Sequence, residues 1–190
     1  MNEIELLQSL RRDAALDPAV LERGRARLMA QVQGKRPELH QQVIVPQLPY
    51  ADPRAAVEFL ERAFGFTERL DARVVDQRTG AVGHTMVEYR GALMGIGGQG
   101  GHGAVSPKEA GTPTLYLSIY VPDVDAHYER ARAAGARIVQ GLRDQFWGDR
   151  TYECLDLENH RWRFHQHVRD VPQAEWHWDA ASDSSQSSGS

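Results

Sequence analysis

The densest chemistry in the chain is the stretch DLENHRWRFHQH, Asp156 to His167, which sets three histidines and two acids within twelve residues. Imidazole and carboxylate are the usual donors to zinc and iron. The stretch therefore reads either as a metal site or as a turn followed by a strand with polar side chains on one face. His165 and His167 fall on the same face of such a strand, with Gln47 or Glu88 as available partners for a metal. Two ligands at the end of one strand do not make a site, and polar residues lining a pocket are the preferred reading. His84 and Glu88 share a face of another strand, with Met86 between them, and are weak candidates for an acid/base pair. His160 is expected to be solvated in the turn; His127, His102 and His40 are expected at the surface.

Other motifs narrow the chemistry. GIGGQG (95–100) fits the dinucleotide fingerprint literally, but no helix opens directly after it, so it reads as a flexible connection. DQFWGDR (144–150) offers Phe146 and Trp147 as flat stacking surfaces, with Asp149 and Arg150 expected to pair with each other. No nucleophile elbow, phosphate loop or paired-cysteine motif occurs in the sequence. The lone thiol, Cys154, sits in an alternating apolar segment and reads as a small core residue.

The elements that must position these residues follow from periodicity. Residues 3–33 read as two helices broken at Asp17-Pro18, the second carrying Leu21, Leu28 and Val32 at helical spacing. With the linker GKRPELH they form an N-terminal extension, 1–40. The Ser-rich end lacks apolar anchors, so the tail 169–190 is expected to be mostly disordered, with Trp176 and Trp178 docking on the domain. Between these ends VIVPQL (43–48), RLDARVV, GHTMVEY and ALMGIG read as strands, and DPRAAVEFLERAFGF as a helix. The order then repeats with LYLSIYV, the helix DVDAHYERARAAGA, RIVQGL, RTYECLD and RWRFHQH. This gives two βαβββ modules, 41–98 and 114–168, joined by a Gly-rich loop, 99–113. The chain of 190 residues has a net charge of −4, which offers no attraction to nucleic acid. MNEIELL lacks a basic n-region, and no stretch reaches the ~20 apolar residues of a membrane span. A soluble, cytoplasmic protein with neither nucleic-acid nor membrane partners is expected.

YVPDVDAHYERARAAGARIV, followed by WGDRTYECLDLENHRW, resembles the second module of the vicinal oxygen chelate superfamily, the group of glyoxalases, bleomycin-resistance proteins and extradiol dioxygenases. YADPRAAVEFLERAFGF resembles its first module. The likeness spans residues 41–168 and points to the non-metal or uncharacterised bleomycin-resistance-like members. It implies an α+β fold in which two βαβββ modules form a curved mixed sheet around a central cup, and a homodimer, since the family often pairs modules between chains.

In the metal-dependent members four ligands come from the first and fourth strands of each module. Matching by Asp52, Asp123 and Asp156 places those positions at Val45, Gly95, Tyr116 and Arg163. None is a usual metal ligand, and Arg163 is a fixed cation where a carboxylate is needed. Alternation assigns Leu115, Leu117, Ile119, Val121, Trp162 and Phe164 to the helix side. Tyr116, Ser118, Tyr120, Arg161, Arg163, His165 and His167 then face the cup, as do Val43, Val45, Gln47, Leu93, Gly95 and Gly97.

The expected ligand-binding set is Gln47, Tyr116, Tyr120, Phe146, Trp147, Arg163 and His165, without a metal or other cofactor. Arg163 is expected either to pair with Glu88 across the cup or to clamp an acid group on the ligand. The resulting function is binding of an aromatic or anionic small molecule for sequestration, resistance or sensing. The alternatives are a lyase, isomerase or dioxygenase using displaced metal ligands or metal-free acid/base residues such as His84 and Glu88, and an interaction module acting through the N-terminal helices. Since all four inherited positions lack a ligand, protein purified without chelators should carry well under one equivalent of zinc, iron, nickel or manganese by elemental analysis. Stoichiometric metal that leaves on His165→Ala would overturn the metal-free reading.

Overall fold

The computed structural model describes residues 42–177. The helices expected over 3–33, the linker to residue 40, Trp178 and the Ser-rich end lie outside the described residues. Strand β1 (Gln47–Tyr50) is followed by helix α1 (Pro53–Phe64) and strands β2 (Thr67–Val75), β3 (Val82–Tyr89) and β4 (Ala92–Gly98). After a connection containing the short helix α2 (Pro107–Ala110), β5 (Tyr116–Tyr120), α3 (Val124–Ala133), β6 (Arg137–Asp144), β7 (Asp149–Leu155) and β8 (Arg161–His167) repeat the order. Each set forms a four-stranded mixed sheet, ordered β1-β4-β3-β2 and β5-β8-β7-β6, with the first pair parallel and the others antiparallel. Among the described residues no helix is long and apolar enough to cross a membrane.

The helices start where the sequence signals them. The Asp52 carboxylate accepts from the Ala55 N–H, and Asp123 from Ala126, each satisfying an orphan donor of a first turn. α1 ends at Gly65, whose φ of 77° is the left-handed geometry of a helix C-cap. One expected boundary moves: β1 begins at Gln47 rather than Val43. Pro46 has no N–H to give the ladder, and its carbonyl accepts the first bond, from the Gly95 N–H at 2.8 Å.

Both helices pack into a single core. Ala56, Val57, Leu60 and Phe64 of α1 join Val124 and Ala131 of α3, together with Trp162 and Phe164 of β8. The Phe64 ring lies 5.1 Å from Trp162 and 4.9 Å from Phe164, bringing the first module's helix onto the second module's sheet.

The DLEN turn fastens this arrangement. Asp156 accepts from the Tyr50 hydroxyl at 2.6 Å and the Trp162 indole at 3.1 Å. Its other oxygen accepts from the N–H groups of Glu158 and His160, while Asn159 takes the left-handed conformation at φ 68°. The Glu158 carboxylate receives the Ala51 and Asp52 N–H groups, at the entrance to α1. His160 is therefore buried against the Tyr50 ring rather than solvated.

His127 is also inside, contrary to its expected surface position. Its ring sits 4.2 Å from that of Phe164, because position 127 lies on the stripe of α3 turned to the core. Phe64 offers only a carbonyl oxygen, at 3.1 Å, so Nε2–H donates there and Nδ1 accepts from the Tyr152 hydroxyl at 2.6 Å. Burial, then the nearby Arg130 charge, lowers its pKa to about 4. The unfolded chain thus takes up this proton first as pH falls. Stability from the neutral ring is complete above pH ~6.5 and should fall by ~3 kcal/mol between pH ~6.5 and ~4. Urea denaturation across that window should show this component in the wild type and its absence in His127→Gln.

Candidate functional site

The residues assigned to one cup divide between two sheet faces, each turned away from the helices. On the first sheet, Gln47 and His84 line a cavity of about 460 Å³ together with Leu48, Pro49, Gly97 and His102. Gly95 makes that face possible, since a Cβ there would stand 1.9 Å from the Gln47 amide oxygen. Glu88 does not join His84; it accepts from Arg69 at 3.3 Å, while Arg69 also grips Asp71. The acid/base pair suggested by strand spacing is thus separated into two environments.

On the second sheet the expected alternation holds within the strands, but β5 begins at Tyr116, so Leu115, assigned to the helix side, is exposed. Trp162 and Phe164 enter the core, and Leu117 and Ile119 pack against it. Tyr116, Ser118 and Tyr120 remain exposed on the opposite face. The Arg163 guanidinium lies over the Tyr116 ring, 5.0 Å from its centroid, in cation–π geometry. Its partner is Glu153 rather than Glu88: the Arg163 Nε donates to Glu153 at 2.6 Å, and Arg161 donates to the same carboxylate at 2.7 Å. Glu153 and Arg163 are register partners on adjacent antiparallel strands, whereas Glu88 belongs to the other sheet. Burial alone would raise the Glu153 carboxyl, but hydrogen bonds and charge from Arg163 and Arg161 hold it below the usual carboxylate range.

A second network gathers on Asp149, at the start of β7. Its carboxylate accepts from the Tyr120 hydroxyl at 2.8 Å and the Trp147 indole at 3.0 Å, and lies 3.3 Å from His165 Nδ1 and 3.1 Å from His167 Nδ1. Burial pushes this carboxyl up, but hydrogen bonds led by Tyr120 and His167 bring it below its ordinary value. Asp149 does not pair with Arg150, which reaches outward to Asp125 and Asp144. Alternation explains the difference: neighbouring residues of β7 point to opposite faces.

His165 is buried beside Tyr120, with ring centroids 5.0 Å apart. Its Nε2 lies 3.3 Å from the Ser118 Oγ. Burial lowers the His165 pKa despite the opposing pull of Asp149, whereas Asp149 and then Asp170 raise that of exposed His167.

The structure thus brings Tyr116, Tyr120, Trp147, Arg163 and His165 together. Gln47 belongs to the other face, and Phe146 turns to Trp147 and Trp176, with ring centroids 4.9 and 6.3 Å away. Asp149 and Glu153 are the site residues that motif reading missed. The alternation of Tyr152 and Cys154 in RTYECLD could have placed Glu153 on the face of Arg163.

The inherited metal positions do not fit a divalent cation. The space above Gly95 is filled by the Gln47 amide, and position 163 carries a guanidinium already bound to a carboxylate. Among the described residues no cluster of three or more His, Cys, Asp or Glu side chains is arranged to hold one.

Comparison with known proteins agrees with this architecture. The crystal structure of TioX from Micromonospora sp. ML1 is 36% identical and covers 67% of this chain and 99% of its own, with a TM-score of 0.53. The uncharacterized protein Rv0887c of Mycobacterium tuberculosis (strain ATCC 25618 / H37Rv) is 32% identical over 131 residues, 66% of this chain and 75% of its own. The fosfomycin resistance protein FosX of Listeria monocytogenes, 18% identical with a TM-score of 0.50, covers 67% of this chain and 90% of its own and shares the fold. The family profile matches residues 41–164, and the chain belongs to the Glyoxalase/Bleomycin resistance protein/Dioxygenase superfamily.

Proposed function

We propose that the outer face of the second sheet binds a small aromatic molecule bearing an acid group, without a metal, for sequestration, resistance or sensing. The observation that carries this reading is the pairing of two guanidiniums, Arg161 and Arg163, with the single carboxylate of Glu153. One positive charge is left over, and Arg163 sits directly above an exposed aromatic ring. An aryl group can stack on Tyr116 or Tyr120 while its acid meets the guanidinium. Tyr116 and Tyr120 are 53% and 59% exposed in the single chain, an open face that a second copy would close into a pocket. A homodimer is therefore part of the proposal.

Calorimetric titration with aromatic carboxylates and their uncharged amides tests it. The acids should bind more tightly. Arg163→Met keeps the apolar stem and leaves Glu153 paired with Arg161, so the protein should fold while losing ~1.5–3 kcal/mol of affinity for the acids. Equal binding of acids and amides, unchanged by Arg163→Met, would overturn the reading. Sedimentation should give a dimer, and a monomer at binding concentrations would overturn the homodimer.

A further inference from the structure

The side chains of Ser118 and Asp149 meet the two ring nitrogens of His165. Asp149 can only accept from His165 Nδ1, so that nitrogen carries the proton and Nε2 presents its lone pair to the Ser118 hydroxyl. Both separations are 3.3 Å, the loose end of the range in which such hydrogen bonds tighten once a substrate is bound. We propose that Ser118 is an activated nucleophile and that this face cleaves activated aromatic esters through an acyl-Ser118 intermediate.

Three features of the surroundings support the relay. Ser118 is exposed, so an ester can reach it, while His165 is buried and held from both sides. The carboxylate behind His165 is fixed by the Tyr120 and Trp147 donors, which restricts rotation of Asp149 and so orients the imidazole. Arg163 is the register partner of Ser118 on the adjacent parallel strand and projects from the same face. Its guanidinium is the cation available to the oxyanion formed at an attacked carbonyl.

The chemistry balances with water as the only co-reactant. As the Ser118 oxygen bonds to the acyl carbon, its proton passes to His165 Nε2. The carbon–oxygen bond to the leaving group breaks, and His165 returns the proton to the departing oxygen. Water then attacks the Ser118 ester, giving one proton to His165. The bond from the acyl carbon to the Ser118 oxygen then breaks, His165 returns that proton to the oxygen, and the acid departs. Asp149 acts through His165 and is a positioning residue. The preference for an aromatic ester rests on the binding reading above, whereas activation of Ser118 does not.

The test uses the full chain with p-nitrophenyl acetate, which carries no acid group for Arg163 to clamp. A stoichiometric burst of p-nitrophenolate is expected, with the acetyl group located on Ser118 by peptide mass spectrometry. Ser118→Ala removes an exposed hydroxyl and its one long bond to His165, and should stay within a few degrees of the wild-type melting temperature. It and His165→Gln should each slow the burst by about 100-fold or more. A fluorophosphonate probe should mark Ser118 in the wild type, so the result does not depend on how any variant folds. Acetyl groups on tyrosine or histidine instead, an unchanged burst in Ser118→Ala, or no burst and no label would each overturn the proposal. The loss of aromatic-acid binding in Arg163→Met is read separately, so either idea can fail alone.

Discussion

Asp156 and Glu158 stand at the turn between β7 and β8, and between them they accept the Tyr50 hydroxyl, the Trp162 indole and the N–H groups that open α1. Both are buried, so these bonds replace water that neither carboxylate can reach. The turn belongs to the second module and its partners at Tyr50, Ala51 and Asp52 to the first. Breaking it would leave buried charge unsatisfied and loosen the seam where Phe64 meets Trp162. The shared core, and hence the placing of both sheet faces, depends on this contact.

Much of that architecture was legible in the chain. Asp52, Pro53 and Asp123 mark helix starts through their own capping chemistry, and Gly65 marks a helix end. Alternation in RWRFHQH separated Trp162 and Phe164 from Arg163 and His165 because a strand has only two faces. The DLEN turn was legible too, through the tolerance of Asn159 for left-handed backbone.

What was not legible depends on strand order and on contacts between modules. Arg163 finds Glu153 because β7 lies beside β8, a fact no spacing within either strand records. His127 reads as one polar residue on a charged helix until Phe64 and Tyr152 close around it. The Asp149 network draws on β5, β7, β8 and the loop before β7, so its members are scattered through the sequence. A neighbouring cation also made the wrong choice easy: Arg150 follows Asp149 directly but faces the other way.

The two modules repeat one another, yet their fourth strands present opposite materials. At the position paired with Gln47 stands Gly95, while the corresponding partner of Ser118 is Arg163. In the first module the bare position is covered by the Gln47 amide; in the second it carries a guanidinium held by Glu153. Because the fastening carboxylates sit in a turn away from both faces, such divergence leaves the scaffold's principal seam untouched. A repeated unit of this kind can carry two unlike surfaces on one scaffold: the first supplies room, the second an exposed aromatic and charged face.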